Sequence, residues 1–155
     1  MTYTFKISFN PDIIGTHLYK PTPATLFPFT SEKVTYCYGG AHAIYRGAQI
    51  LGLQRGDCVL VPAYSCGSEI EPLLAAGLTI DYYRSLPDLT PDVDHLEQLC
   101  RNKPKALFII HYFGFPQPMK TLIEFKLKHN LILIEDNAHG LYSKDRFGVP
   151  LGSLG

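Results

Sequence analysis

No stretch of this chain approaches the roughly 20 consecutive apolar residues that a membrane span needs, so a spanning protein is not expected. The first residues, Met1-Thr-Tyr-Thr-Phe-Lys6, lack the charged-then-apolar layout of a secretory leader. The expected compartment is therefore the cytoplasm. Cysteine is sparse: Cys37, Cys58, Cys66 and Cys100 lie far apart with no CxxC pair. That spacing favours reduced thiols over disulfides or a zinc site. Charge of one sign is also missing. Fourteen basic residues balance fourteen acidic ones, with no basic run, so there is no electrostatic case for nucleic acid as a partner. Tryptophan is absent, and the aromatic content is carried by ten Tyr and nine Phe. At 155 residues, 46% of them apolar, the chain has ordinary globular composition and enough length for one core.

Residues 1–33 contain Pro11, Pro21, Pro23 and Pro28 with little periodicity and read as an irregular arm draped over the rest. From residue 34 to 155, strands and helices alternate. Gly39-Gly40 opens a helical stretch to about Leu53, which Gly52 and Gly56-Asp57 end. Cys58–Pro62 is a short apolar strand. Ser68–Ala76 is a helix closed by Gly77, and Leu78–Tyr83 alternates as a strand. Thr90 is placed to cap a helix with Pro91 in its first turn, running through Cys100. Ala106–Ile110 is a second apolar strand, and Pro118–His129 a helix. Leu131–Glu135 reads as a strand buried on both faces, the most buried of the set. Repeated βα units predict an α/β fold: three α/β/α layers around a mainly parallel sheet with right-handed crossovers.

In such sheets, ligands sit beyond the carboxyl ends of the strands, and the candidate site residues fall there. Tyr38-Gly39-Gly40-Ala41-His42 leads into a helix. Its glycines allow close backbone approach, and the helix start offers free N–H groups and a positive dipole end to a phosphate. The same residues also serve as a plain loop-to-helix turn, and neither a Walker lysine nor GxGxxG accompanies them. Val61–Gly67 suits a pocket wall or a strand-to-helix loop capped by Ser65 or Ser68. Cys66 has no assignable partner base and reads as a structural thiol. His111, after Ile110, is either a ligand contact or acid/base group or a loop histidine satisfied by backbone. Asp136 and His139 end the Leu131–Glu135 strand. A carboxylate there is costly unless it meets a cation or several donors; a protonated pyridine nitrogen is such a cation, and capping the segment from Asn137 is the plain alternative. Glu135 is assigned a structural contact, and His17, His95 and His129 surface or packing roles.

Taken in order, these segments resemble the DegT/DnrJ/EryC1/StrS aminotransferases, fold-type-I enzymes dependent on pyridoxal 5'-phosphate (PLP) and known for making amino sugars. Gly39-Gly40-Ala41 is similar to the family's small-residue phosphate turn. Gly56-Asp57-Cys-Val-Leu-Val-Pro62 resembles its GD-x-V-x-VP strand, and His111-Tyr-Phe-Gly114 its H-x-x-G loop. Glu135-Asp136-Asn-Ala-His139 resembles its ED-x-A-H/Q segment, and Gly152-Ser-Leu-Gly155 its GS-x-G. The resemblance implies a partial PLP-transferase large domain over 34–155. It implies that Asp136 holds the pyridine nitrogen protonated, that His139 lies beside the ring, and that Gly39, Gly40 and Ala41 meet the phosphate. Cys66 and His111 complete the implied cofactor shell. Cys66 stands where many members carry a stacking aromatic, and Ala41 where a threonine hydroxyl often binds phosphate; Tyr64 is a substitute aromatic. The family's Schiff-base lysine follows GS-x-G, and Lys144 precedes it, so no catalytic residue is assigned in this chain and no transaminase activity is expected of it alone. The complete enzyme is expected to move an amino group from an amino-acid donor to a keto-sugar, as a homodimer or self-associating chain. Two rival readings remain: a non-catalytic sensor or partner subunit on the same fold, and a flavodoxin-like binding domain indifferent to PLP.

Overall fold

A computed structural model describes residues 34–155 in full and the backbone of 4–7. Thr4–Ile7 (β1) pairs parallel with Val34–Cys37 (β2) as a separate two-stranded sheet. Inside the arm expected to be irregular, this segment is thus a strand; the rest of the arm, with His17 and its prolines, lies outside the described residues. Gly40–Ile50 (α1) follows, then Cys58–Pro62 (β3), Gly67–Ala75 (α2), Thr79–Tyr83 (β4) and Val93–Leu99 (α3). Ala106–Ile110 (β5), Met119–His129 (α4) and Ile132–Asp136 (β6) complete the chain of elements.

The main sheet is parallel throughout, in the order β4-β3-β5-β6. From β3 the chain steps one way to β4, then crosses back to β5 on the other side. Helices therefore cover both faces. Side-chain alternation divides the core accordingly. Val59, Val61, Ala106, Phe108 and Ile110 face a layer holding Ala48 of α1 and Ile70 and Leu73 of α2. Leu60, Leu107, Ile109 and Leu133 face Leu96 of α3 and Met119, Leu122 and Phe125 of α4. Three α/β/α layers result, as the alternating pattern predicts.

Three expectations need correcting. β5, not β6, is the most buried strand, with all five residues buried. β6 pairs only with β5 and is an edge among the described residues, so Ile132 and Ile134 are half-buried. The strand also runs to Asp136 rather than ending at Glu135. Second, Asp92, not Thr90, caps α3: its carboxylate accepts the His95 N–H at 3.0 Å. Thr90 is drawn away because both its N–H and its hydroxyl donate to Asp88 Oδ1. Pro91 is engaged in a bridge with Ser85, and Cys100 falls in a 3₁₀ turn beyond the helix. Third, neither Ser65 nor Ser68 caps α2. Cys66 occupies the cap position, its N–H donating to Glu69 Oε2 at 2.7 Å, while Ser65 donates to the Pro62 carbonyl.

His95 and His129 behave as surface and packing groups. His95 Nδ1 accepts the Arg84 N–H, and His129 Nε2 meets Glu97. No helix among the described residues is long and apolar enough to cross a membrane.

Candidate functional site

Three of the candidate segments lie at the carboxyl edge of the main sheet, while Gly39–Ala41 follows β2 of the smaller one. β3 delivers Ala63–Cys66, β5 delivers His111–Gln117, and β6 delivers Asp136–Gly140. The β5–β6 ladder continues one step past the strands, His111 N–H donating to the Asp136 carbonyl at 2.9 Å. Phe113 N–H donates to His139 Nδ1 at 3.2 Å, and the two rings stack at 5.8 Å. The Tyr112 hydroxyl donates to the Tyr64 carbonyl at 2.5 Å, joining the β5 and β3 loops. Burial pushes the Tyr112 hydroxyl up to about 12, so it stays a proton donor at neutral pH.

Two glycines permit the close fit of these loops. A Cβ built on Gly140 would lie 2.7 Å from Gly114 Cα and 2.8 Å from Asn137 Oδ1. Gly114 itself has φ +80 and would meet the His139 carbonyl at 3.1 Å. Replacing Gly140 with Ala should therefore destabilise the chain by about 1–3 kcal/mol through overpacking. A urea midpoint unchanged by the substitution would show that the two loops do not touch in solution.

Asp136 is the most unusual carboxylate in the group. Burial raises its pKa above the usual Asp range. Among the described residues, its side chain accepts one hydrogen bond, from Ala138 N–H at 2.9 Å. Glu69 raises it further, while the Ala138 hydrogen bond opposes the shift. A desolvated carboxylate with so little compensation is suited to a cation placed against it. Asp136 does make the turn contact of the plain reading, but that single bond leaves most of its acceptor capacity unused.

Gly39 begins α1 with no side-chain cap, and the first intrahelical bond is Ala43 N–H to the Gly39 carbonyl at 3.0 Å. The N–H groups of Gly40, Ala41 and His42 are thus left without intrahelical acceptors, the arrangement that receives an anion. A Cβ on Gly39 would meet nothing within 4 Å, so the approach is open. No hydrogen bond or ring contact among the described residues joins Gly39–Ala41 to the three loops.

His111 is placed differently from a ligand contact. It is fully buried, with Nε2 2.9 Å from Glu135 Oε2 and Nδ1 accepting the Gln117 N–H at 3.2 Å. Both ring nitrogens are spent inside the protein. Cys66 is exposed, its thiol 2.8 Å from Ser68 Oγ and 3.3 Å from Glu69 Oε1. Sequence reasoning left out Tyr112 and Glu69. Glu69 was available from its place three residues after the cap, the spacing of a capping box; Tyr112 carried no such signal. Lys144 is exposed, in a hairpin whose turn is organised by Asp145.

The doubly wound parallel sheet, with loops from β3, β5 and β6 gathered at its carboxyl edge, defines an α/β fold. The model of the DegT/DnrJ/EryC1/StrS aminotransferase family matches residues 29–155, and the chain belongs to that family. It is 30% identical over 125 residues to the GDP-perosamine synthase of Escherichia coli O157:H7, covering 80% of this chain and 34% of the relative. An aminotransferase, TlmJ, from Streptoalloteichus hindustanus superposes with a TM-score of 0.67 at 26% identity, over 74% of this chain and 31% of the other. NtdA from Bacillus subtilis, solved with bound cofactor PMP, superposes at 0.62 with 28% identity, over 68% and 24% of the two chains. The chain spans about a third of the length of the curated relatives it matches.

Proposed function

We propose that this chain is the amino-terminal part of the large domain of a PLP-dependent sugar aminotransferase, with residues 1–33 an arm and 34–155 the domain proper. The complete enzyme transfers an amino group from an amino-acid donor to a keto-sugar. The observation that carries the reading is Asp136: a desolvated carboxylate with one hydrogen bond, standing at the cleft of a fold whose Bacillus relative holds PMP. When bound, PLP supplies an electron sink. Asp136 would pair with its protonated pyridine nitrogen, and the N–H groups beginning at Gly40 and Ala41 would hold its phosphate, with Gly39 giving the room. His139, oriented by Phe113, would lie beside the ring. Cys66 and the exposed Tyr64 border the cleft, and His111 supports it from behind.

This reading includes a cytoplasmic location, supported by four free cysteines. It also includes self-association, supported by the exposed rings of Tyr38, Phe113, Phe115 and Phe147. The chain alone is expected to be inactive as a transaminase. Titration with PLP should give saturable but weak binding, and borohydride reduction should leave no pyridoxyl group on Lys144. Binding that fails to saturate at concentrations on the order of millimolar would overturn the cofactor site. A pyridoxyl group on Lys144 would overturn the expected inactivity. A second reading, a non-catalytic member of the family, is supported by Ala41 and Cys66 standing where the phosphate-binding hydroxyl and the stacking aromatic are expected. A lysine encoded in frame shortly after Gly155 favours the enzyme; an arginine in its place favours the second reading.

A further inference from the structure

Adjacent residues on a strand point to opposite faces, so Glu135 and Asp136 leave β6 in opposite directions. Leu133, two residues before Glu135, packs into the α3/α4 layer. The Glu135 side chain is only 3% exposed, yet among the described residues no Lys or Arg forms an ion pair with it. It accepts three hydrogen bonds instead. Oε2 receives His111 Nε2 at 2.9 Å and Gly152 N–H at 3.2 Å, and Oε1 receives Leu154 N–H at 2.7 Å. Because His111 Nδ1 accepts the Gln117 N–H, the proton of the neutral ring must sit on Nε2. The pair is thus a hydrogen bond from a neutral imidazole, and the three groups hydrogen-bonded to the carboxylate are donors. Such bonds to an ionised acceptor are the strong class.

The donors come from separate parts of the chain. His111 belongs to the loop after β5 at the carboxyl edge of the sheet. Gly152 and Leu154 belong to the last stretch, which runs beside the open edge of β6. Gly152 has φ +79, a conformation that suits glycine, and the Leu154 side chain packs on the α3/α4 core. We propose that Glu135 is a positioning residue that locks the Gly152–Gly155 stretch to the loop after β5 through His111, so that the two move as one body. Its value to catalysis rests on the proposed function, because by resemblance the lysine-bearing chain enters from this stretch. The lock itself does not depend on that reading.

Amide hydrogen exchange on the whole chain, without cofactor, tests it. Gly152 and Leu154 donate to Glu135, whereas Ser153 and Gly155 N–H have no acceptor among the described residues. Protection should therefore alternate along 152–155, by about tenfold or more for a bond to a charged group. In Glu135→Gln, whose amide keeps a single acceptor oxygen, protection should fall at one or both of Gly152 and Leu154, while amides of β3 and β4 keep their rates. Uniform acceleration across the sheet would mean that Glu135 serves only the general fold, and would overturn the proposal. If the variant does not fold, the wild-type chain decides alone: absence of alternation overturns the lock. Loss of PLP binding with alternation intact would instead count against the proposed function.

Discussion

Replacing Asp136 with Asn should weaken PLP binding by about ten- to a hundredfold, on the scale of a hydrogen-bonded charge partner removed from a buried site. It should also leave the unliganded chain at least as stable at pH 7. Both effects follow from one fact. The folded Asp136 carboxyl has a raised pKa, chiefly from burial. Between the ordinary Asp value and the raised one, the folded chain binds more protons than the unfolded chain, so stability falls as pH rises through that window. Above it, the ionised carboxylate is a standing cost, which asparagine removes while keeping the acceptor for Ala138 N–H. Urea midpoints from acid to neutral pH, measured beside PLP titrations, check both halves. A variant that loses stability at pH 7 would show that the carboxylate is already well compensated without a ligand.

Phe108→Ala should cost about 3–5 kcal/mol, the range for deleting a buried aromatic ring. Phe108 is fully buried at the centre of β5 and belongs to the cluster shared with Ala48, Ile70 and Leu73. Its carbonyl receives the buried Tyr83 hydroxyl at 3.1 Å, so a collapse of the site would also disturb that bond. Typical domains have about 5–15 kcal/mol in total, and the variant should approach the unfolding threshold. Equilibrium denaturation of the two chains gives the difference directly. A loss under about 1 kcal/mol, against the cavity range, would contradict the packing described.

The main sheet was readable because its strands are short apolar runs set between helix signals. Cys58–Pro62 and Ala106–Ile110 match the observed strands residue for residue. β6 misled because an apolar run reports composition, not position in the sheet; Ile132 and Ile134 look alike in a centre or at an edge. Thr90 misled because its capping ability was already committed to Asp88, a local competition that spacing alone does not rank. At the site, Asp136 was legible from its position after an apolar strand. His111 was legible as a residue of interest but not as a neutral group turned inward. That depends on Gln117 and Glu135, brought to it by the turn after β5 and by β6. Tyr112 and the Gly114–Gly140 approach depend on loops meeting in space, and no local pattern announces them.

The registers Cys58↔Thr79, Ala106↔Ile132 and Val59↔Ala106 have a kinetic meaning. Each joins segments separated by roughly 20 to 50 residues, with at least one helix between them, and no hairpin exists among the described strands of the sheet to start it. Loop-closure entropy must therefore be met before any strand pair rewards it. The ordering of the cleft is the last event rather than the first, because its loops wait on β3, β5 and β6 standing side by side. Refolding should be slow by the standard of helical bundles of this size, with the helices forming before the sheet they cover.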